Sequence, residues 1–240
     1  MTVVLLLLIL GAYLLGSVPS AYLVAKWSRG IDIRQYGSGN VGASNVSAVI
    51  SRRWSIPVTV FDIGKGALAV WIAQLMGLGA APQITAGIAT VIGHNWPIFL
   101  RFQGGRGIFT TLGVITLLSW KLGLIAVVIS YTLAPVRQLA LGSALALVSL
   151  PLFSWFLSQP LDIEARIPVT LGFAALALIA LSRRLLASRT ALSASLPRLE
   201  LLTNRLLFDR DIRDKKAWLS QIRPEISLRA RPRRPEKEKR

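Results

Sequence analysis

Long apolar runs separated by short polar segments dominate the chain. A helix needs about 20 apolar residues, at about 1.5 Å of rise each, to cross the hydrocarbon of a bilayer, and fewer inside a bundle. By that ruler, residues 3–25, 56–78, 84–100, 108–120, 122–134, 139–157 and 167–181 are candidate spans. Because 108–120 and 122–134 can instead form one bent unit, the pattern predicts five to seven transmembrane helices. The first run lacks a basic start and is too long for a signal-peptide core, so it is read as a retained helix. The expected fold class is therefore all-α, a polytopic integral membrane helix bundle.

Composition supports this reading. Of 240 residues, 53% are hydrophobic and 16% charged, more apolar surface than one soluble core needs. Charge orients the bundle: 28 Lys and Arg against 11 Asp and Glu give a net +17. Lys26, Arg29, Arg34, Arg52 and Arg53 fall between the first two spans, Arg101 and Arg106 between the third and fourth, and Arg137 between the fifth and sixth. Basic loops stay cytoplasmic, so the N-terminus is expected outside and these loops inside, in the plasma membrane. Residues 183–240 hold 17 basic and 7 acidic side chains. We divide the chain into a membrane domain, 1–186, and a basic cytoplasmic tail, 187–240. The tail is predicted as part amphipathic helix, with Leu199, Leu202 and Leu206 at helical spacing, and part disordered over 229–240. Membrane lipids are its expected partner and nucleic acid is not. With no cysteine and a single histidine, disulfides, thiolate chemistry and multi-histidine metal sites are excluded.

Two glycine-rich segments carry the candidate chemistry. The first is Gly37-Ser38-Gly39-Asn40-Val41-Gly42-Ala43-Ser44-Asn45, following Asp32-Ile33-Arg34. Glycines let backbone N–H groups converge on an anion, and Ser and Asn add donors; the same composition also suits an ordinary flexible loop. The second, Gly104-Gly105-Arg106-Gly107, precedes the fourth span, where a helix N-terminus favours anions, but lacks the spacing of a nucleotide P-loop. Two such loops on one face suit a substrate with two phosphates, which would need both. Asp62 and Lys65, three apart inside an apolar run, either pair with each other or reach substrate. His94 is either a general base or a helix-end hydrogen-bonding group.

These motifs, together with Gly16-Ser17-Val18-Pro19-Ser20, Asp62-Ile63-Gly64-Lys65-Gly66 and Gly93-His94 with Pro97, recur in the same order in the membrane acyl-phosphate:glycerol-3-phosphate acyltransferases of the PlsY type. The chain resembles that family over roughly residues 1–185. The resemblance implies acyl transfer from acyl phosphate to the 1-hydroxyl of glycerol 3-phosphate, yielding lysophosphatidic acid for phospholipid synthesis, with no cofactor. It places Ser38 on the family's essential serine, Gly104, Gly105 and Gly107 on its glycerol-phosphate loop, Arg106 where lysine is usual, and Arg137 with Ser143 on a looser arginine–serine pattern. Two positions depart. Ala48 stands where the family has an arginine, with Arg52 or Arg53 as conceivable substitutes, and the His-x-x-Asn pair expected near Leu181 is missing.

The resulting expectation is an acyltransferase with Ser38 and His94 as catalytic candidates. Arg34, Gly37, Gly39, Asn40, Asn45, Lys65, Gly104, Gly105, Arg106, Gly107, Arg137 and Ser143 are substrate-binding candidates, and glycerol 3-phosphate and acyl phosphate are the expected substrates. The departures motivate an alternative, a catalytically silent paralogue that binds phosphates or lipids as a membrane scaffold.

Overall fold

The computed structural model describes residues 2–187 and 193–214, which form an all-helical bundle without strands. Its helices are α1 (Thr2–Ser17), α2 (Ser20–Arg29), α3 (Ala43–Val49), α4 (Arg52–Leu75), α5 (Ala80–Asn95), α6 (Ile108–Leu118), α7 (Trp120–Thr132), α8 (Leu139–Phe156), α9 (Arg166–Leu185) and α10 (Arg198–Phe208). Among the described residues, four segments are long and apolar enough to cross a membrane: Thr2–Arg29, Arg52–Leu75, Leu139–Phe156 and Arg166–Leu185. Leu6, Leu10, Val60, Leu75, Leu124 and Leu178 stay exposed on the outside of the bundle, as side chains facing lipid do.

Proline reshapes two of the expected spans. A residue before proline is pushed out of the α region, so the run 3–25 breaks at Val18-Pro19 and resumes as α2. For the same reason the third run ends at Asn95, because Trp96 precedes Pro97 and adopts φ −130°, ψ 68°. Residues Ile98–Leu100 then form a separate 3-10 turn rather than extending the helix. At the first break the Val18 carbonyl accepts from Lys65, and at the second the Trp96 carbonyl accepts from the Tyr13 hydroxyl at 3.0 Å.

The short α6 and α7 form a hairpin. With 11 and 13 residues, each spans about 16–20 Å, less than the roughly 30 Å of hydrocarbon. Ser119 between them is extended (φ −157°, ψ 103°), and its side chain accepts the Leu122 N–H. Ser119 Oγ also donates to the Leu161 carbonyl at 3.4 Å, while Lys121 binds Asp162 at 2.6 Å. The α8–α9 connection thus covers the hairpin's turn. Its two open ends, near Arg106 and Arg137, return to one cavity.

Small residues set the helix spacing around this hairpin. A Cβ on Gly113 of α6 would collide with the Ile63 carbonyl of α4, and one on Gly66 of α4 with the Thr110 carbonyl of α6. This reciprocal close approach uses van der Waals packing where no hydrophobic drive between helices exists. It fixes the start of α6, and Arg106 with it, relative to α4. In the expected tail, α10 packs against α8 and α9 with Leu201, Asn204 and Arg205 buried. Leu199, Leu202 and Leu206 face outward, and 229–240 lies outside the described residues.

Gly113→Ala is expected to cost about 1–3 kcal/mol, because a backbone carbonyl cannot yield as a side chain can. Gly64→Ala, whose Cβ meets nothing within 4 Å, should be neutral or gain about 0.5–1 kcal/mol from helix propensity. Thermal denaturation of the two variants in detergent checks the ordering.

Candidate functional site

The first glycine-rich loop is organised by one side chain. Asn45, 2% exposed at the start of α3, accepts the Ser38 N–H at 3.0 Å through Oδ1. Its Nδ2 lies within donating distance of the carbonyls of Ile33 (3.3 Å), Tyr36 (3.0 Å) and Asn40 (3.0 Å). The loop can wrap so tightly because Gly37 and Gly39 take φ of 65° and 67°, a region that disfavours side chains with a Cβ. Ser38 Oγ accepts the Asn40 N–H at 3.3 Å. Asp32 caps the preceding turn and forms a 2.6 Å ion pair with Arg34, whose Nη1 donates to the Leu100 carbonyl at 3.2 Å. That hydrogen-bonded pairing holds the Asp32 carboxyl below its ordinary value of 3.8. The pair's contribution is therefore complete above that ordinary value and is lost only as pH falls through the lowered one.

The second loop is tied to the end of α5. Gly105 N–H donates to the His94 carbonyl at 3.0 Å. A Cβ on Gly105 would strike His94 Nε2 and the Val41 carbonyl, so the two loops meet there. Gly107 takes φ 71° and turns the chain into α6.

Beneath the loops lies a buried ionic cluster. Asp62 Oδ1 is 3.0 Å from Lys65 Nζ, 3.5 Å from His94 Nδ1, and accepts Ser20 Oγ at 2.9 Å. Lys65 also donates to the Val18 carbonyl at 3.3 Å, an oxygen freed by the break before Pro19. Charges in a membrane interior persist only when paired in this way. Of the two readings open in the sequence, the Asp62–Lys65 pair is the arrangement found.

Between the first loop, α6, α7 and α8 opens a cavity of 490 Å³ with two characters. Its polar end is lined by Ser38, Arg106, Arg137, Ser143, Arg184 and Asp209, and its depth by Ile115, Ala126, Ala146, Leu147 and Leu150. Arg184, 1% exposed, donates to the carbonyls of Ala140 (2.9 Å) and Leu206 (3.3 Å) and to Ser143 Oγ (2.8 Å). Arg106 is ion-paired with Asp209. Neighbouring Arg183 donates to the Gly104 carbonyl at 3.3 Å, which braces the second loop from α9.

Of the sequence candidates, Ser38, Asn45, Arg106, Arg137 and Ser143 line this cavity. Gly37, Gly39, Asn40, Gly104, Gly105 and Gly107 shape its two loops. Lys65 and His94 lie below them in the ionic cluster, and Arg34 is held by Asp32 and Leu100 away from the lining. Ala48 lines the cavity, whereas Arg52 and Arg53 are exposed at the start of α4 and do not replace the missing arginine. Arg184 and Asp209 escaped the sequence reading. Arg183-Arg184 has the look of an ordinary basic helix end, and Asp209 becomes informative only once α10 folds back onto α8 and α9.

Comparison with known proteins bears on this geometry. Residues 6–189 match the family described as glycerol-3-phosphate acyltransferase. Glycerol-3-phosphate acyltransferase 4 of Dehalococcoides mccartyi (strain CBDB1) is 42% identical over 221 residues, covering 92% of this chain and 95% of the relative. Two crystal structures of PlsY, an integral membrane glycerol 3-phosphate acyltransferase, share the fold. The glycerol 3-phosphate form has a TM-score of 0.68 at 30% identity, covering 75% of this chain and 88% of that one. The lysophosphatidic acid form has a TM-score of 0.70 at 28% identity, covering 90% and 98%.

The buried cluster supplies a stability test. Lys65→Met removes the ammonium that pairs with Asp62 and should cost about 3–5 kcal/mol, whereas Asp62→Asn combined with Lys65→Met removes both charges and should recover most of that loss. Thermal denaturation of the single and double variants separates a paired charge from an independent one.

Proposed function

The chain belongs to the glycerol-3-phosphate acyltransferase family, and we propose that it transfers a fatty acyl group from acyl phosphate to the 1-hydroxyl of glycerol 3-phosphate at the cavity beneath its two glycine-rich loops. The observation that carries this reading is the cavity's division into an arginine-lined polar end and an apolar depth. A substrate pair consisting of two phosphates and one acyl chain matches both halves. The hydroxyl oxygen attacks the acyl carbon, the bond from that carbon to the phosphate oxygen breaks, and the hydroxyl proton leaves with the released phosphate. The products are lysophosphatidic acid and inorganic phosphate.

A mixed anhydride is already activated, so the protein's task is to hold two anions in register and to stabilise developing charge, without a covalent intermediate or a cofactor. Arg106, Arg137 and Arg184 supply the charge, the Ser38 hydroxyl a polar contact at the loop, and Leu147 and Leu150 a wall for the chain. The basic loops favour a site on the cytoplasmic side of the plasma membrane, with the N-terminus outside. The positive charge of the tail makes membrane lipids its expected partner. A silent paralogue that binds phosphate without turnover is the second reading, favoured by Ala48 in the cavity wall.

Membranes containing the chain, given acyl phosphate and labelled glycerol 3-phosphate, should make lysophosphatidic acid; inserted, folded protein without product above empty membranes would sink the enzymatic reading. Within that assay Arg106→Ala should raise the glycerol 3-phosphate requirement by about 10- to 150-fold, the value of a charge-assisted contact of roughly 1.5–3 kcal/mol. Arg106→Lys should be milder. Arg101→Ala, at an exposed position in the turn, should change little. Equal small effects at positions 101 and 106 would remove Arg106 from the site.

A further inference from the structure

The polar end of the cavity already contains an anion, and the chain supplies it. Four arginines line the cavity, Arg106, Arg137, Arg184 and Arg210, against one carboxylate, that of Asp209. Asp209 follows α10 at φ 57°, ψ 37°, a left-handed conformation that Asp tolerates better than most residues. Its Oδ2 pairs with Arg106 Nη1, while its Oδ1 stops 3.7 Å from Arg184 Nε. Both Asp209 Oδ1 and Arg184 Nε are buried without a hydrogen-bond partner. Arg184 cannot move to close the gap, because Ala140, Leu206 and Ser143 hold its other nitrogens.

The carboxylate therefore satisfies one guanidinium and falls short of the second. Its two oxygens lie in one plane on one carbon. A phosphate monoester presents three terminal oxygens in a tetrahedral array with up to two negative charges, and fork-shaped guanidinium groups suit that array. Unsatisfied buried polar groups are costly, so a ligand that completes both contacts has free energy to gain over the internal one.

We propose that Arg106 and Arg184 together form a phosphate site whose occupant in the substrate-free protein is Asp209, so that α10 is a strap which substrate phosphate displaces. The exchange follows from the geometry; only the identity of the phosphate, on glycerol 3-phosphate or on the acyl donor, rests on the acyltransferase reading. Bonds within the strap tie it together. Arg205 Nε binds Asp211 at 2.8 Å and Asn204 Nδ2 donates to the Asp211 carbonyl at 3.1 Å, contacts internal to the segment. Across to α9 it makes the Arg205 bond to the Leu185 carbonyl at 2.7 Å and the Arg184 bond to Leu206.

The chain has no cysteine, so a single one introduced at Leu201, 3% exposed on α10, reports on the strap without background. Maleimide labelling of Leu201→Cys in purified full-length protein is measured alone and with inorganic phosphate, glycerol 3-phosphate or a non-reactive acyl phosphonate. Phosphate ligands should speed labelling, and the ligand that does so at the lowest concentration identifies whose phosphate the site takes. Asp209→Ala and the isosteric Asp209→Asn should label fast without ligand and gain little from it. In the acyl-transfer assay these two variants should lower the KM of that ligand by up to about 10-fold if the docked strap is about nine-tenths populated, whereas Arg184→Ala should raise it. Labelling unmoved by any saturating phosphate ligand, or a raised KM in both Asp209 variants, would overturn the proposal. Ligand-dependent labelling in a protein that makes no product would leave the exchange standing and remove the acyltransferase reading. Product formation with unchanged labelling would do the reverse.

Discussion

A carboxylate, an ammonium and an imidazole buried in the middle of a membrane bundle impose the constraint on which the rest of this structure depends. Asp62 has to find partners within reach, and it takes them from three different segments: Lys65 on its own helix, Ser20 on α2 and His94 on α5. The Pro19 break then acquires a purpose. It releases the Val18 carbonyl to Lys65 and presents Ser20 to Asp62. The cluster ties α2, α4 and α5 together, and His94 in turn supports Gly105 through its own carbonyl. Charge pairing below the loops and loop geometry above them are one arrangement, because a mispaired Asp62 would be too costly in hydrocarbon for the helices to adopt any other register.

The second organising feature is the division of labour between loops and helix ends. Asn45 is consumed in holding the first loop's shape, and the glycines of the second let backbone pass within contact of His94 and Asn95. The positive charge at the cavity comes from Arg106 of the second loop just before α6, Arg137 before α8 and Arg184 near the end of α9. The α6–α7 hairpin keeps the apolar depth of the cavity directly beneath that charge. Such a cavity suits an amphipathic substrate, with a polar end for a headgroup and an apolar depth for a chain.

Much of this was legible in the sequence. The apolar runs predict the all-helical membrane bundle, and the motif order gives the family and five of the residues that line the cavity. Where the reading fell short, the cause is physical. Val18-Pro19 and Trp96-Pro97 cut helices that hydropathy alone runs together, because hydropathy does not register the steric exclusion imposed by proline. Lys65 and His94 appear as substrate or catalytic candidates because a charge in an apolar run signals function or pairing equally well. The distances to Asp62 add the pairing, which no sequence pattern shows. Arg184 and Asp209 come from segments distant in sequence that converge through tertiary packing, and no local pattern announces either. Arg184 also places positive charge at the cavity whose wall carries Ala48 in place of the family's usual arginine.

The central claim is that the arginine-lined end of this cavity is where phosphate binds and that the apolar depth beneath it takes the acyl chain. A structure determined with glycerol 3-phosphate and a non-reactive acyl phosphonate tests it directly. The expected result is phosphate in contact with Arg106 and Arg184, Asp209 turned away from both, and the acyl chain running past Leu147 and Leu150. Phosphate bound elsewhere, with Asp209 still seated on Arg106 and the depth of the cavity empty, would contradict it.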